Sequence, residues 1–121
     1  MVNYFWDSYA VIEAMDGNKN YSRYIEEHVV TSIFNLAEIY WFALNEYEEK
    51  KANDVFEKFK KCVIDIDYET LKSAVKFRKK YKNKNLSYTD CIGYTFALKN
   101  DLKFLTGDKE FNNMPNVEFV K

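Results

Sequence analysis

Residues that commonly mark domain boundaries or carry catalysis are scarce in this sequence. Its 121 residues include one proline, three glycines, two cysteines and one histidine. A single histidine, His28, excludes acid–base cleavage of RNA by a histidine pair and a histidine-rich zinc site. The glycines at 17, 93 and 107 lie too far apart to form a glycine-rich phosphate loop.

Long apolar runs and flexible linkers are also lacking. No stretch approaches the roughly 18 apolar residues of a membrane-spanning helix. The first residues, 1–7, do not combine a basic start with a long apolar stretch, as a signal peptide does. We therefore expect a cytoplasmic protein in which Cys62 and Cys91 are reduced thiols of the core. With no linker of proline and glycine, residues 1–121 are predicted to form one domain.

Charge is unevenly distributed although the net charge is −1. Residues 1–57 carry 4 Lys and Arg against 11 Asp and Glu, whereas residues 58–121 carry 14 against 8. The basic half includes the lysine-rich stretches 58–61 and 76–84. Such stretches can attract phosphates, and they are also typical of solvated helix faces, so both interpretations stay open.

Apolar periodicity predicts short strands that alternate with longer helices. Strands are expected at 2–6, 28–31, 62–66, 103–106 and 117–120, and helices at 8–15, 21–27, 33–47, 48–60, 67 to about 83, and 88–99. This alternation predicts a three-layer α/β/α fold with a central parallel sheet of about five strands.

The helix predicted over 33–47 carries more apolar surface than one core needs. One stripe is expected to face the core, and further apolar residues lie outside it: Ile33, Leu36, Tyr40, Ala43, Leu44 and Tyr47 in the stripe, Phe34, Trp41 and Phe42 beyond it. We expect the excess to meet a partner helix, a second copy of the chain, or both. The alternative is a wide core beneath a small sheet.

Four acidic residues fall where an open α/β sheet gathers its ligands, at the carboxyl ends of the strands. Asp7 follows the first predicted strand, and Asp108 follows the fourth. Glu38 lies two turns into the helix after the second strand, and Asp90 lies in the first turn of the helix before the fourth. If the first and fourth strands are neighbours, the carboxylates converge and a hard cation such as Mg²⁺ would relieve their repulsion. Each acid could instead be a helix cap or a solvated charge.

Four segments that carry these acids resemble the PIN-domain ribonucleases, in order and across nearly the whole chain. They are Phe5-Trp6-Asp7-Ser8, Asn35-Leu36-Ala37-Glu38-Ile39-Tyr40, Leu86-Ser87-Tyr88-Thr89-Asp90 and Leu105-Thr106-Gly107-Asp108-Lys109-Glu110-Phe111. The resemblance implies a magnesium site, with Mn²⁺ as an alternative, built by Asp7, Glu38, Asp90 and Asp108 and supported by the hydroxyl of Thr106.

A lone domain of this length also looks like the toxin of a toxin–antitoxin pair of the VapC type. That likeness implies an RNA substrate and a cognate antitoxin, and the excess apolar surface of the helix predicted over 33–47 adds a homodimer as an expectation. Members of the family often carry a further acid just beyond the last one, and here Asn112 stands in that neighbourhood. Whether one metal or two would bind therefore stays open.

Three functional hypotheses follow. The first is a Mg²⁺-dependent endoribonuclease in which Asp7 and Asp90 mainly hold metal, while Asp108 and Glu38 complete the shell or position water. The second is a catalytically silent PIN-like domain that binds RNA or protein. The third, a phospho-accepting receiver domain, needs an acid pair after the first strand, where Trp6-Asp7-Ser8 supplies one acid.

Overall fold

The computed structural model describes residues 3–121, and within them the chain forms five strands and five α-helices, with one or two helices between most successive strands. The strands are β1 (Tyr4–Trp6), β2 (Thr31–Ser32), β3 (Val63–Ile64), β4 (Lys103–Thr106) and β5 (Val117–Phe119). The helices are α1 (Ser8–Met15), α2 (Ile33–Glu46), α3 (Glu49–Lys60), α4 (Tyr68–Lys80) and α5 (Tyr88–Lys99). Val2, where the first strand was predicted to begin, lies outside the described residues.

The strands form two parallel ladders, β1–β4–β5 and β2–β3. A parallel bridge between Phe5 and Val30 joins them, and the amide of Trp6 donates to the Val30 carbonyl at 2.8 Å. The resulting order, β3-β2-β1-β4-β5, confirms the predicted parallel sheet of about five strands. It also confirms that the first and fourth strands are neighbours.

Alternate residues of β1 point to opposite faces of the sheet and into two separate cores. Tyr4 and Trp6 pack with α1, α2 and α3 through buried Val11, Ile39 and Phe59, among others. Phe5 packs on the other face, with α4 and α5, through buried Ala74, Ile92 and Tyr94, among others. Helices therefore cover both faces, as the predicted three-layer α/β/α fold requires.

Several predicted bounds differ from the observed ones. The helix predicted over 21–27 is a 3-10 helix, Lys19–Tyr24, which buries Tyr21 and Tyr24. These two residues are three apart and therefore share a face of a helix that turns every three residues. The predicted strands 28–31 and 62–66 shrink to β2 and β3, and a second 3-10 helix, Lys109–Phe111, was not predicted.

The predicted core-facing stripe of α2 is partly wrong. Its buried residues are Asn35, Leu36, Ile39 and Ala43, whereas Ile33 and Leu44 are exposed. Phe34 and Trp41 are exposed as well, and Trp41 keeps 69% of its surface accessible. The helix thus buries a narrow stripe and presents apolar side chains on its outer side.

The two cysteines and the lengths of the helices can be compared with the predictions from the sequence. Cys62 and Cys91 are both free, and Cys91 is buried. Burial raises the pKa of the Cys91 thiol to about 11, so the thiol is inert at neutral pH. No helix within residues 3–121 combines the length and the apolar content that crossing a bilayer requires.

Gly93 allows α5 to approach the sheet closely. A Cβ at this position would lie 2.6 Å from Cε1 of Phe5 and 3.1 Å from Cε1 of Phe104, both in buried rings. We expect Gly93→Ala to lower the free energy of unfolding by up to about 2 kcal/mol, because overpacking costs about 1–3 kcal/mol and the gain in helix propensity returns roughly 1 kcal/mol. Thermal or urea unfolding measures this.

The control for Gly93→Ala is Leu98→Ala, a change at an exposed position of the same helix. It should alter stability by no more than about 0.5 kcal/mol. A Gly93→Ala variant as stable as the parent would mean that the Phe5 ring moves aside without cost.

Candidate active site

The site begins where β1 and β4 end side by side. Trp6 pairs with Leu105, and the amide of Asp7, the next residue, donates to the Leu105 carbonyl at 3.2 Å. Asp108 lies two residues beyond Thr106, the last residue of β4. The parallel pairing therefore brings Asp7 and Asp108 to one edge of the sheet, as the sequence predicted.

Asp7 is the buried centre of this edge, with 3% of its surface exposed. It is the N-cap of α1, and its Oδ1 accepts a hydrogen bond from the amide of Ala10 at 2.8 Å. Its Oδ2 accepts one from the hydroxyl of Thr106 at 2.5 Å. Both carboxylate oxygens are thus oriented by neighbours on two different elements.

Burial raises the pKa of Asp7 from its ordinary value of 3.8 to about 8. The hydrogen bonds from Thr106 and Ala10 lower the pKa, while the charges of Asp90 and Asp108 raise it further. Without a cation, the carboxyl therefore holds its proton near neutral pH. Charge on Asp7 needs a positive partner.

Asp90 caps a helix and, like Asp7, lies close to other acidic side chains. Ser87 and Asp90 form a capping box at the start of α5, in which the Ser87 amide donates to Asp90 Oδ2 at 2.9 Å and the Asp90 amide donates to Ser87 Oγ at 3.0 Å. Burial raises the pKa of Asp90, the bonds with Ser87 lower it, and the charges of Asp108 and Glu38 raise it. Asp90 is thus a cap and also a member of a charged group.

Thr106 links two of the acids through one hydroxyl. Besides donating to Asp7, its Oγ1 accepts a hydrogen bond from the amide of Asp108 at 3.0 Å. Asp108 in turn caps the 3-10 helix, since its Oδ1 accepts from the amide of Glu110 at 3.0 Å. The threonine therefore positions both the buried acid and the backbone of the outer one.

Glu38 joins the group from α2. It lies within the apolar run 33–41, but its own side chain is exposed. It accepts a hydrogen bond from Ser8 Oγ at 2.5 Å, and Ser8 Oγ accepts one from Nδ2 of buried Asn35 at 3.0 Å. The string of residues is apolar, but the position of Glu38 on the helix faces outward.

Ser8 and Asn35 belong to the site and were not identified as functional from the sequence. Asn35 is held in turn by Ser32, whose hydroxyl donates to Asn35 Oδ1 at 2.6 Å. A chain of hydrogen bonds therefore runs from the buried N-cap of α2 to the start of α1 and on to Glu38 at the surface. Its signal in the sequence was an asparagine inside the apolar run Ile33-Phe34-Asn35-Leu36.

Carboxylates in such a group suit a hard divalent cation, because Mg²⁺ prefers oxygen ligands. Within residues 3–121, no group of three or more Asp, Glu, His or Cys side chains is arranged to hold a metal ion. Mg²⁺ commonly keeps several waters and binds through one or two carboxylates plus substrate phosphate. The donor set here fits that mode, since the charge on buried Asp7 lacks compensation and Asp90 and Asp108 raise its pKa. Metal ligation by Asp7, Glu38, Asp90 and Asp108 stays a prediction.

Comparison with known proteins gives a family match. The family described as PIN domain matches residues 4–117. A search of curated proteins found no match.

Solved structures with the same fold come from toxin–antitoxin complexes. A toxin–antitoxin complex from Klebsiella pneumoniae matches with a TM-score of 0.76 and 21% identity over 96% of each chain. VapBC2 from Rickettsia felis, bound to a DNA fragment from its promoter, matches with a TM-score of 0.76 and 15% identity over 100% of each chain. VapBC-1 from nontypeable Haemophilus influenzae matches with a TM-score of 0.73 and 17% identity, over 98% of this chain and 96% of that one. At these identities the likeness establishes a shared fold.

The raised pKa of Asp7 predicts a pH-dependent stability in the absence of metal. An unfolded chain releases this proton near pH 4, whereas the folded protein retains it up to about pH 8. The stability from this group is thus fully present below pH 4 and is lost as the pH rises towards 8, by an amount on the order of a few kcal/mol. Asp7→Asn carries no charge at any pH and should show a flatter decline. Urea unfolding in EDTA between pH 5 and 9 measures this.

A matched control is Asp67→Asn. Asp67 caps α4 as Asp7 caps α1, through a bond from the Thr70 amide at 2.8 Å, and the pKa of exposed Asp67 is lowered. The control should follow the parent's pH profile over this range. Parallel curves for the parent and Asp7→Asn would contradict the assignment of a raised pKa to Asp7.

Proposed function

Because the chain belongs to the PIN domain family, we propose that it is a Mg²⁺-dependent endoribonuclease that hydrolyses RNA phosphodiester bonds, with Mn²⁺ able to substitute. PIN domains are generally nucleases, and such nucleases generally use divalent metals. The observation that carries the proposal is a pair of carboxyls with raised pKa values at the carboxyl edge of the sheet. Burial and the charges of Asp90 and Asp108 raise the pKa of Asp7, and burial and the charges of Asp108 and Glu38 raise the pKa of Asp90. Two carboxyls whose charged forms are disfavoured in this way are a costly arrangement for a purely structural edge.

The four acids have distinct positions and therefore distinct proposed roles. Asp7 and Asp90 would mainly hold the cation, since burial disfavours their charge most clearly. Asp108, which is half-buried, and Glu38, which is exposed, would complete the shell or orient water. When bound, a divalent cation offsets the repulsion among the carboxylates and stabilises charge at the phosphate during displacement. Thr106 is a positioning residue, because it holds Asp7 and the backbone of Asp108.

We further propose that the protein acts in the cytoplasm as the toxin of a toxin–antitoxin pair. The similar folds of VapBC complexes support this role. So does the outer face of α2, where Ile33, Phe34, Trp41 and Leu44 are exposed. We propose that an antitoxin covers this face, and that the toxin also forms a homodimer.

The second candidate function is a catalytically silent PIN-like domain that binds RNA or protein. It is favoured by the local bonds that each acid makes: Asp7, Asp90 and Asp108 all cap helices, and Glu38 accepts from Ser8. Helix caps alone would explain three of the acids. Cleavage assays decide between the two candidates.

The decisive variant is Asp90→Asn. The asparagine carbonyl can still accept the bond from the Ser87 amide, so the cap survives while one charge is removed. We expect cleavage of RNA with Mg²⁺ to fall by about 10²–10³-fold, the order of the loss when one preorganised electrostatic contact in an active site is removed. The metal-free fold should be equally or more stable, and Mg²⁺ should raise the melting temperature of the parent more than that of the variant.

Asp67→Asn, which alters a cap outside the charged group, should cleave like the parent. An Asp90→Asn protein that loses stability without metal yet shows the parent's response to Mg²⁺ would assign Asp90 a structural role alone. Absence of Mg²⁺-dependent cleavage by the parent on varied RNAs would support the silent domain.

The exposed outer face of α2, which we propose binds the antitoxin, can be tested separately. Trp41 has 69% of its surface exposed, and exposed tryptophans are frequent hot spots of interfaces. We expect Trp41→Ala to weaken binding of the protein encoded beside this chain by about 30-fold or more, while leaving the melting temperature unchanged. Titration calorimetry measures the affinity.

Tyr68→Ala provides the control for Trp41→Ala, because Tyr68 is 84% exposed on α4 instead. It should bind the partner like the parent. If both variants retain the parent's affinity, α2 is not the antitoxin face. Light scattering on the parent at high concentration separately tests the homodimer.

A further inference from the structure

A second polar feature lies outside the acidic group, at the junction of α4 and α5. A cavity of about 280 Å³ opens there and is lined by Val75, Arg78, Lys79, Lys82, Lys84, Leu86 and Tyr88. Its polar lining is mostly cationic, in a protein whose net charge is −1. Such a concentration of positive charge favours an anionic ligand.

An arginine and a tyrosine contact each other in the lining of this cavity. The guanidinium carbon of Arg78 lies 4.2 Å from the centroid of the Tyr88 ring. Nε of Arg78 also donates to the Leu86 carbonyl at 3.0 Å, which helps to orient the guanidinium. Tyr88 nevertheless keeps 56% of its surface exposed, so the ring offers area for stacking.

Short connections hold the cavity next to the acidic group. Tyr88 is the first residue of α5, two positions before Asp90. On the other side, Nζ of Lys84 donates to the Glu110 carbonyl at 3.1 Å, and the amide of Glu110 donates to Asp108 Oδ1. Asn85 adds a bond from its amide to Oε1 of Glu110 at 3.1 Å. Residues 84–88 are therefore bonded to the segment that carries Asp108 and lead directly into the helix that carries Asp90.

We propose that this cavity binds one nucleotide of single-stranded RNA beside the scissile phosphate, an inference that rests on the proposed ribonuclease function. The base stacks on Tyr88, and Lys79, Lys82 and Lys84 contact the flanking phosphates. Stacking on a side chain needs an unpaired base, so the subsite selects single strands over duplexes. The carboxylates of an acidic protein segment could contact the lysines, but carboxylates offer no flat ring to stack on the Arg78–Tyr88 pair.

The first experiment measures RNA binding without cleavage. Fluorescence anisotropy in EDTA compares a short labelled single-stranded RNA with a duplex of the same sequence. We expect Tyr88→Ala to weaken single-strand binding by about 5- to 150-fold and duplex binding much less. Tyr88→Phe, which keeps the ring, should bind like the parent. Tyr68→Ala, at an exposed tyrosine outside the cavity, is the matched control.

The second experiment concerns the phosphates. With Lys79 and Lys82 both changed to alanine, the slope of log affinity against log salt should decrease by about 0.7 for each phosphate that these lysines neutralise in the parent. Lys72 and Lys99, both exposed and neither in the lining, provide the control pair. If the slope decreases equally when Lys72 and Lys99 are changed to alanine, the effect comes from the overall charge of the protein, and the proposed subsite is wrong.

The outcomes separate this inference from the proposed activity. If the parent cleaves RNA and Tyr88→Ala binds single strands as tightly as the parent, the subsite is wrong and the ribonuclease stands. If the parent does not cleave but binding depends on Tyr88, the ribonuclease is wrong and the subsite stands. Binding of labelled polyglutamate with the same dependence on Tyr88 would overturn the subsite in favour of an acidic protein ligand.

Discussion

Removal of the Asp7 carboxyl from water is the constraint on which the candidate site depends. The side chain lies at the joint of β1, α1 and the end of β4, so none of these elements can move without changing its two hydrogen bonds. Those bonds offset part of the cost of burial, yet the pKa still rises to about 8. A bound cation would offset the rest of the cost of burying the Asp7 carboxylate, beyond what the Ala10 amide and the Thr106 hydroxyl offset. The fold thus keeps a buried carboxyl only partly satisfied.

Aromatic packing keeps α5, and therefore Asp90, at a fixed distance from that carboxyl. Phe5 stacks on Phe104 with ring centroids 5.9 Å apart, and Tyr94 of α5 meets Phe104 edge to face at 5.7 Å. Gly93 removes the one side chain that would separate helix and sheet. A wide aromatic core in a small domain resists shear, which suits a site whose charges must stay close.

How much of this could be read from the sequence differs from residue to residue. Asp7 and Asp108 were predictable because parallel strands end at a common edge, and Asp90 because helix N-termini favour acids. Ser8 was missed because its partners, Asn35 and Glu38, lie 27 and 30 positions away. The residues of α2 that face the core were predicted only in part, because α2 has apolar residues on all its sides. Which of them are buried depends on how the helix packs against the sheet. Short 3-10 helices leave too weak a periodic signal.

The contact between the β1–β4–β5 ladder and the β2–β3 ladder also affects which part of the sheet unfolds locally first. Within residues 3–121, the Phe5–Val30 bridge is the single backbone pairing between them, and a Thr31 hydroxyl bond to the Trp6 carbonyl at 2.9 Å reinforces it. Amide protons of β2 and β3 should therefore exchange with solvent at lower cost than those of β1 and β4. The helix that follows β2 is held differently: α2 packs on Tyr4 and Trp6 through buried Leu36 and Ile39. Glu38 should therefore stay beside the other acids even while the edge strands exchange their amide protons with solvent.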